Sequence, residues 1–176
     1  PKEKIFTDKL HTLAYGTDAS FYRLIPKIVI KTDNAKEVQD IIELSNSMNL
    51  SITFRAGGTS LSGQAISDSI LIITSRNFSN FKIASDVSYI SLEPALTGAQ
   101  VNGLLARYSK KIGPDPASIN AAMIGGIAAN NASGMCCGIS QNSYKTLKSM
   151  KLIFSDGTKL DTSCEKSKDS FRKTHG

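Results

Sequence analysis

Tryptophan is absent from the 176 residues, histidine occurs only twice and cysteine three times. Cys136, Cys137 and Cys164 are odd in number and show no CxxC spacing, which excludes a disulfide framework and a zinc-ligand pattern and fits reduced thiols. No run approaches the roughly 20 apolar residues of a membrane helix, and the N-terminus carries no signal-like apolar stretch. An intracellular protein without an integral membrane segment is therefore expected. There is no GxxxxGK[ST] sequence, which argues against a triphosphate loop, and no GxGxxG between a strand and a helix, so a Rossmann fingerprint is not supported. The net charge is +6, but the basic residues are dispersed, with a modest excess only at Lys166, Lys168, Arg172 and Lys173. No clustered basic face with interleaved aromatics points to nucleic acid, whereas attraction for a small anionic ligand stays open.

What is present is enough for one core: 40% of the residues are hydrophobic and 20% charged, and the length suits a single domain. Residues 5–14 read as an N-terminal helix ending at Gly16, before the polar turn 17–20. A β-branched strand follows over 27–31. Asn34 and Glu37 then resemble an N-cap with its capping-box partner, opening a helix marked by Val38, Ile41, Ile42 and Met48 and leading to a strand at 51–54. This is a βαβ pattern. Further strands are expected over 70–73, 81–84 and 89–93, and Thr97 with Gln100 repeats the capping-box spacing before a helix that closes near Gly113. A hairpin spans 149–161 with Asp156-Gly157 at its bend, and the chain turns polar after Thr162.

Two stretches are poor in bulky side chains. The first is Arg55-Ala-Gly-Gly-Thr-Ser-Leu-Ser-Gly63; the second runs from Gly113-Pro-Asp-Pro-Ala-Ser118 through Ile124-Gly-Gly-Ile-Ala-Ala-Asn-Asn-Ala-Ser-Gly134. Consecutive main-chain N–H groups turned into one concavity bind a diphosphate without long flexible side chains. Gly57 and Gly58 permit that shape, and Thr59, Ser60 and Ser62 add hydroxyl donors. Read alone, the first loop is equally a tight connection with no ligand. The second stretch favours an extended dinucleotide, which needs contacts at separated places. In it the prolines flanking Asp115 stiffen a loop edge, while Asp115 itself also fits ordinary turn capping.

These segments resemble the FAD-binding domain of the vanillyl-alcohol oxidase and p-cresol methylhydroxylase superfamily, in its D-lactate, glycolate and D-2-hydroxyglutarate dehydrogenase branch with a C-terminal iron–sulfur region. Four ordered features between Leu24 and Thr162 carry the likeness: Pro26 before a strand, the segment 54–64, Glu93-Pro94 with Gly98, and the segment 113–138. The resemblance implies an α+β fold of the FAD-binding PCMH type, with a βαβ-type subdomain and a second, mixed or antiparallel subdomain flanked by helices. Residues 1–23 would be a helical extension and 24–176 the flavin domain, incomplete at its C-terminus. It also implies that Ala56, Gly57, Gly58, Thr59, Ser60 and Leu61 hold the diphosphate. Pro114, Asp115, Ser118, Gly125, Gly126, Asn130, Asn131, Ser133 and Gly134 would meet the isoalloxazine, ribityl and adenosine portions. Asn130 and Ser133 depart from the commoner Thr and Gly of the family.

Thr59 stands where some relatives carry a flavin-linking His, so the implied FAD is non-covalent. His11 and His175 read as surface residues, and Cys136 and Cys137 as packing. The implied reaction is hydride removal from a 2-hydroxy acid to the flavin, with the substrate taken by a further domain; an iron–sulfur cluster would belong to the full-length protein and not to this chain. No catalytic residue is nominated, and the electron acceptor is open. The expected location is the cytoplasm, or the membrane periphery for the full-length enzyme. Two other readings stand beside this one: a natural flavin- or nucleotide-binding subunit paired with a separate catalytic chain, and a non-catalytic basic module supported by net charge alone.

Overall fold

The computed structural model describes residues 2–176. A short 3-10 turn over Lys2–Lys4 leads into β1 (Ile5–Phe6) and α1 (Lys9–Ala14). Then come β2 (Ile28–Thr32), α2 (Ala35–Ser47), β3 (Ile52–Arg55) and β4 (Ile70–Thr74). These four strands form one sheet in the order β1-β2-β4-β3, with β2, β4 and β3 parallel and β1 antiparallel to β2. Strand β4, an apolar Ile-Leu-Ile-Ile run, is central, and Leu71, Ile72 and Ile73 are buried, with buried Val29 beside Leu71 on β2. Burying such a run on both faces is what a central parallel strand requires.

The βαβ pattern is present, but β4 inserts between β2 and β3, so the strands joined by α2 are not neighbours. Parallel strands need a long crossover, usually helical. Between β3 and β4 that crossover is the small-residue segment 56–69, which contains no helix or strand and starts at the C-terminal edge of the sheet.

The second half holds the antiparallel pair β5 (Phe81–Ile83) and β6 (Ile90–Leu92), then α3 (Gly98–Ala106), α4 (Ile124–Ala129) and α5 (Ser143–Thr146). It closes with the hairpin β7 (Lys151–Ile153) and β8 (Lys159–Asp161) and with α6 (Glu165–His175). The Thr97–Gln100 capping box at α3 is complete in both directions, and Val101 and Leu105 are buried. At α2, Asn34 caps the Glu37 N–H as expected, but the Glu37 carboxylate accepts from the Asp33 N–H and pairs with Lys4 instead of closing the box.

Two expectations are corrected, and one helix was not anticipated. The helix expected from residue 5 starts at Lys9, because Ile5 and Phe6 pair with Ile30 and Val29 as an edge strand. The helix expected to reach Gly113 stops at Ala106, where the side-chain oxygen of Asn102 accepts the Ile112 N–H and folds the chain back. The tail after Thr162 is helical. Its ion pairs Glu165–Lys168 and Asp169–Arg172 lie three residues apart, and Phe171 stacks on Phe154 at 4.7 Å between ring centroids.

Candidate dinucleotide-binding site

Arg55 ends β3, and the chain then leaves the sheet through Ala56, Gly57 and Gly58. Gly58 has φ +67°, a conformation that side chains disfavour, and it turns the loop. Among the described residues, the main-chain N–H groups of 56–61 donate to no protein acceptor. Residues 56–60 are half-buried and not enclosed, so these donors are open to water or to a ligand. The rest of the loop is pinned: the Ser60 hydroxyl donates to Gln64 Oε1 at 3.1 Å and accepts from the N–H groups of Ser62 and Gln64. Leu61 stands out in solvent at 77% exposure.

The second segment docks against this loop. A β-carbon on Gly57 would overlap the carbonyl oxygen of Ala121, so the two backbones touch there. A β-carbon on Gly126 would lie 3.6 Å from the Ala56 side chain, and among the described residues the Gly126 N–H also lacks a protein acceptor. The start of α4 is held by Ile124 N–H to Leu96 O at 2.8 Å and Gly125 N–H to Pro94 O at 3.0 Å; a β-carbon on Gly125 would press on Pro94. The Ser118 carbonyl accepts from the N–H groups of both Ala121 and Ala122.

The turn at Pro114, which is buried, lies against the far end of the segment: the Asp115 N–H donates to Ser133 O at 3.2 Å, and Gly134 leaves space for the Asp115 carbonyl. The structure thus joins Ala56 to Gly126, and Asp115 to Ser133 and Gly134. Asn130 and Asn131 are engaged locally. The Asn130 amide donates back to Gly126 O, and Asn131, at φ +46°, accepts the Tyr144 N–H through its side-chain oxygen. The Cys137 thiol is buried and donates to the carbonyls of Gly134 and Gly138, consistent with packing.

A cleft of about 540 Å³ opens where the halves meet, between Arg55, Ala56 and Gly57 on one wall and Thr97, Asn120 and Ala121 on the other. Sequence reasoning did not single out Arg55, Asn120 or Ala121. The only available signal was an arginine closing a strand directly before Ala-Gly-Gly. The Arg55 guanidinium is half-buried, and loss of solvent pulls its pKa below the usual arginine range. Nearby, Asp18 is held below the usual carboxylate range. Burial works against this, but the hydrogen bonds from Ser20 and the Ala65 N–H, with the charge of Arg55, outweigh it.

The mixed sheet, the loop of open amides and the second small-residue segment seated on it make an α+β domain with a candidate dinucleotide site. A family model described as an FAD binding domain matches residues 26–163, and the chain belongs to that family. D-2-hydroxyglutarate dehydrogenase of Haemophilus influenzae is 24% identical over 169 residues, covering 94% of this chain and 16% of that protein. Glycolate oxidase subunit GlcD of Escherichia coli K12 is 28% identical over 139 residues, covering 73% of this chain and 27% of that protein. The chain therefore spans less than a third of either relative. Among solved structures, alkyldihydroxyacetonephosphate synthase shares the fold with a TM-score of 0.79 at 17% identity, over 92% of this chain and 33% of that one.

Proposed function

We propose that this chain is the FAD-holding part of a flavin-dependent dehydrogenase or oxidase acting on a 2-hydroxy acid, with FAD bound non-covalently. The observation that carries the reading is the row of main-chain N–H groups at Ala56, Gly57, Gly58, Thr59, Ser60 and Leu61, free of protein acceptors among the described residues and joined by that of Gly126. Such a row fits a diphosphate, because fixed dipoles aimed at one concavity favour a polyanion without ordering long side chains. Pro114, Asp115, Ser118, Gly125, Ser133 and Gly134 would shape the surface for the rest of the dinucleotide, with Asn130 and Asn131 holding the local backbone.

When bound, FAD supplies the capacity to accept a hydride equivalent. The residues of this chain hold and orient it. The substrate class is drawn from relatives that include D-2-hydroxyglutarate dehydrogenases, a D-lactate dehydrogenase and a glycolate oxidase subunit. Non-covalent binding is supported by Thr59, which stands in the loop where a flavin-linking histidine would be needed.

The test is titration of the chain with FAD, followed by quenching of flavin fluorescence and then by acid precipitation to release the flavin. Saturable binding with complete release supports the reading. No interaction at micromolar concentrations overturns the FAD assignment, and flavin retained in the precipitate overturns the non-covalent one. Bleaching of the flavin absorbance by D-2-hydroxyglutarate, D-lactate or glycolate in a longer form of the protein tests the substrate class; no bleaching by any of them rejects it.

A further inference from the structure

The segment from Tyr15 to Ser20 lies outside the residues that match the family model, yet it is tied to the loop of open amides from several directions. The Arg55 Nη1 donates to the carbonyl oxygens of Thr17 at 2.6 Å, Ala65 at 3.4 Å and Tyr15 at 3.5 Å. Its guanidinium carbon sits 5.7 Å from the centre of the Tyr15 ring. The same guanidinium lies directly beneath Gly58: a β-carbon there would fall 2.5 Å from Nη2 and 2.8 Å from Nε. The Ala19 N–H donates to Gly58 O at 3.0 Å, turning that carbonyl toward the segment. Asp18 completes the tie, accepting from the Ser20 N–H at 2.8 Å and the Ala65 N–H at 3.2 Å.

We infer that Arg55 and Asp18 are positioning residues for the cofactor loop: they clasp residues 15–20 across its base and hold the 56–61 amides in their anion-binding arrangement. The inference rests on the flavin reading above. Its physical basis is that the Arg55 Nη1 bonds carbonyls of two separate segments while the Nη2 and Nε edge of the same planar group fills the space under Gly58, a division of roles that a lysine ammonium cannot reproduce. Among the described residues the N–H groups of 56–61 make no protein hydrogen bond, so the loop is shaped by its neighbours: the clasp on one side and the Ala121 backbone against Gly57 on the other. Gly58 is needed at this place both for its φ and because the guanidinium occupies the space of a side chain. The half-buried cation also stands on the cleft wall beside Ala56 and Gly57, with its charge near the open amides.

The experiment compares Arg55→Met, Arg55→Lys and Asp18→Ala with the unaltered chain by three readings: FAD dissociation constant, melting temperature, and amide hydrogen exchange resolved at Ala19, Ser20 and Ala65. Expected for Arg55→Met is at least tenfold faster exchange at those three amides, with Leu71 and Ile72 in the central strand unchanged, and at least tenfold weaker FAD binding well below the melting temperature. Arg55→Lys recovers part of the affinity but not the exchange protection. Asp18→Ala weakens FAD binding in the same direction. Wild-type FAD affinity in Arg55→Met and Asp18→Ala, whatever their melting temperatures, makes the clasp purely structural and overturns the inference. Unchanged exchange in Arg55→Met overturns the clasp itself. Failure of the unaltered chain to bind FAD rejects the flavin reading, and the cofactor role of the clasp with it; the exchange data then decide whether Arg55 holds residues 15–20.

Discussion

Gly57 and Ala121 approach so closely that a β-carbon on the first would overlap the carbonyl oxygen of the second. The loop and the second small-residue segment are thus one packed unit, and Gly57 in the loop and Gly126 in the second segment answer to different constraints.

Gly57→Val is expected to lower stability and FAD affinity together, because the clash is with backbone that has little freedom to move; overpacking of this kind costs roughly 1–3 kcal/mol. Gly126→Ala separates the two effects. Its methyl meets only the Ala56 side chain at ordinary contact distance, and alanine favours a helix over glycine. Its melting temperature should hold or rise while FAD affinity falls at least tenfold through narrowing of the gap over the loop. An unchanged dissociation constant would remove Gly126 from the site.

Gly134→Ala should unfold the second segment before any ligand effect is seen. Its β-carbon would overlap the Asp115 carbonyl and lie 3.0 Å from the Asp115 α-carbon, all rigid backbone next to Pro114 and Pro116. A loss on the order of 3 kcal/mol is expected in denaturant titration. Wild-type stability would show that the turn at 114–116 moves aside freely.

Asp156, in the bend of the β7–β8 hairpin, is held at a pKa of about 2 against an ordinary 3.8, first by the Thr158 N–H and then by His175. A folded-state pKa below the unfolded one contributes stability that is present above about pH 4 and lost as pH falls toward 2. Asp156→Asn should therefore lower the melting temperature at pH 7 and much less at pH 2. Equal losses at both values would mean that the carboxylate charge contributes nothing.

Phe171→Ala should loosen α6. Its ring stacks on Phe154 and on His175, the latter at 4.4 Å between centroids, and aromatic pairs contribute about 1 kcal/mol beyond their buried area. Faster exchange of the 165–175 amides, with β2 and β4 unaffected, is the expected signature. Unaltered exchange in α6 would place its anchorage elsewhere, such as the Ser167 hydroxyl, which accepts the Asp161 N–H.

Much of this was legible in the order of residues. Alternation and apolar runs located β2, β3, β4 and the Asp-Gly hairpin, the Thr97–Gln100 spacing marked the start of α3, and the paired small-residue stretches marked the loop, because these are local properties of backbone and side chain. The C-terminal helix was missed because Phe171 is its only large apolar residue, too little for a periodic stripe; the acidic Glu165 in its first turn and the basic residues in its last were the readable signal.

Tertiary structure alone decided the rest. That β4 lies between β2 and β3, that Arg55 reaches back to Tyr15, Thr17 and Ala65, and that Gly57 meets Ala121 are pairings between segments distant in the chain. Local propensity carries no information about which carbonyl a guanidinium will find or which backbone a missing side chain will admit; those are set by the packing of the folded chain as a whole.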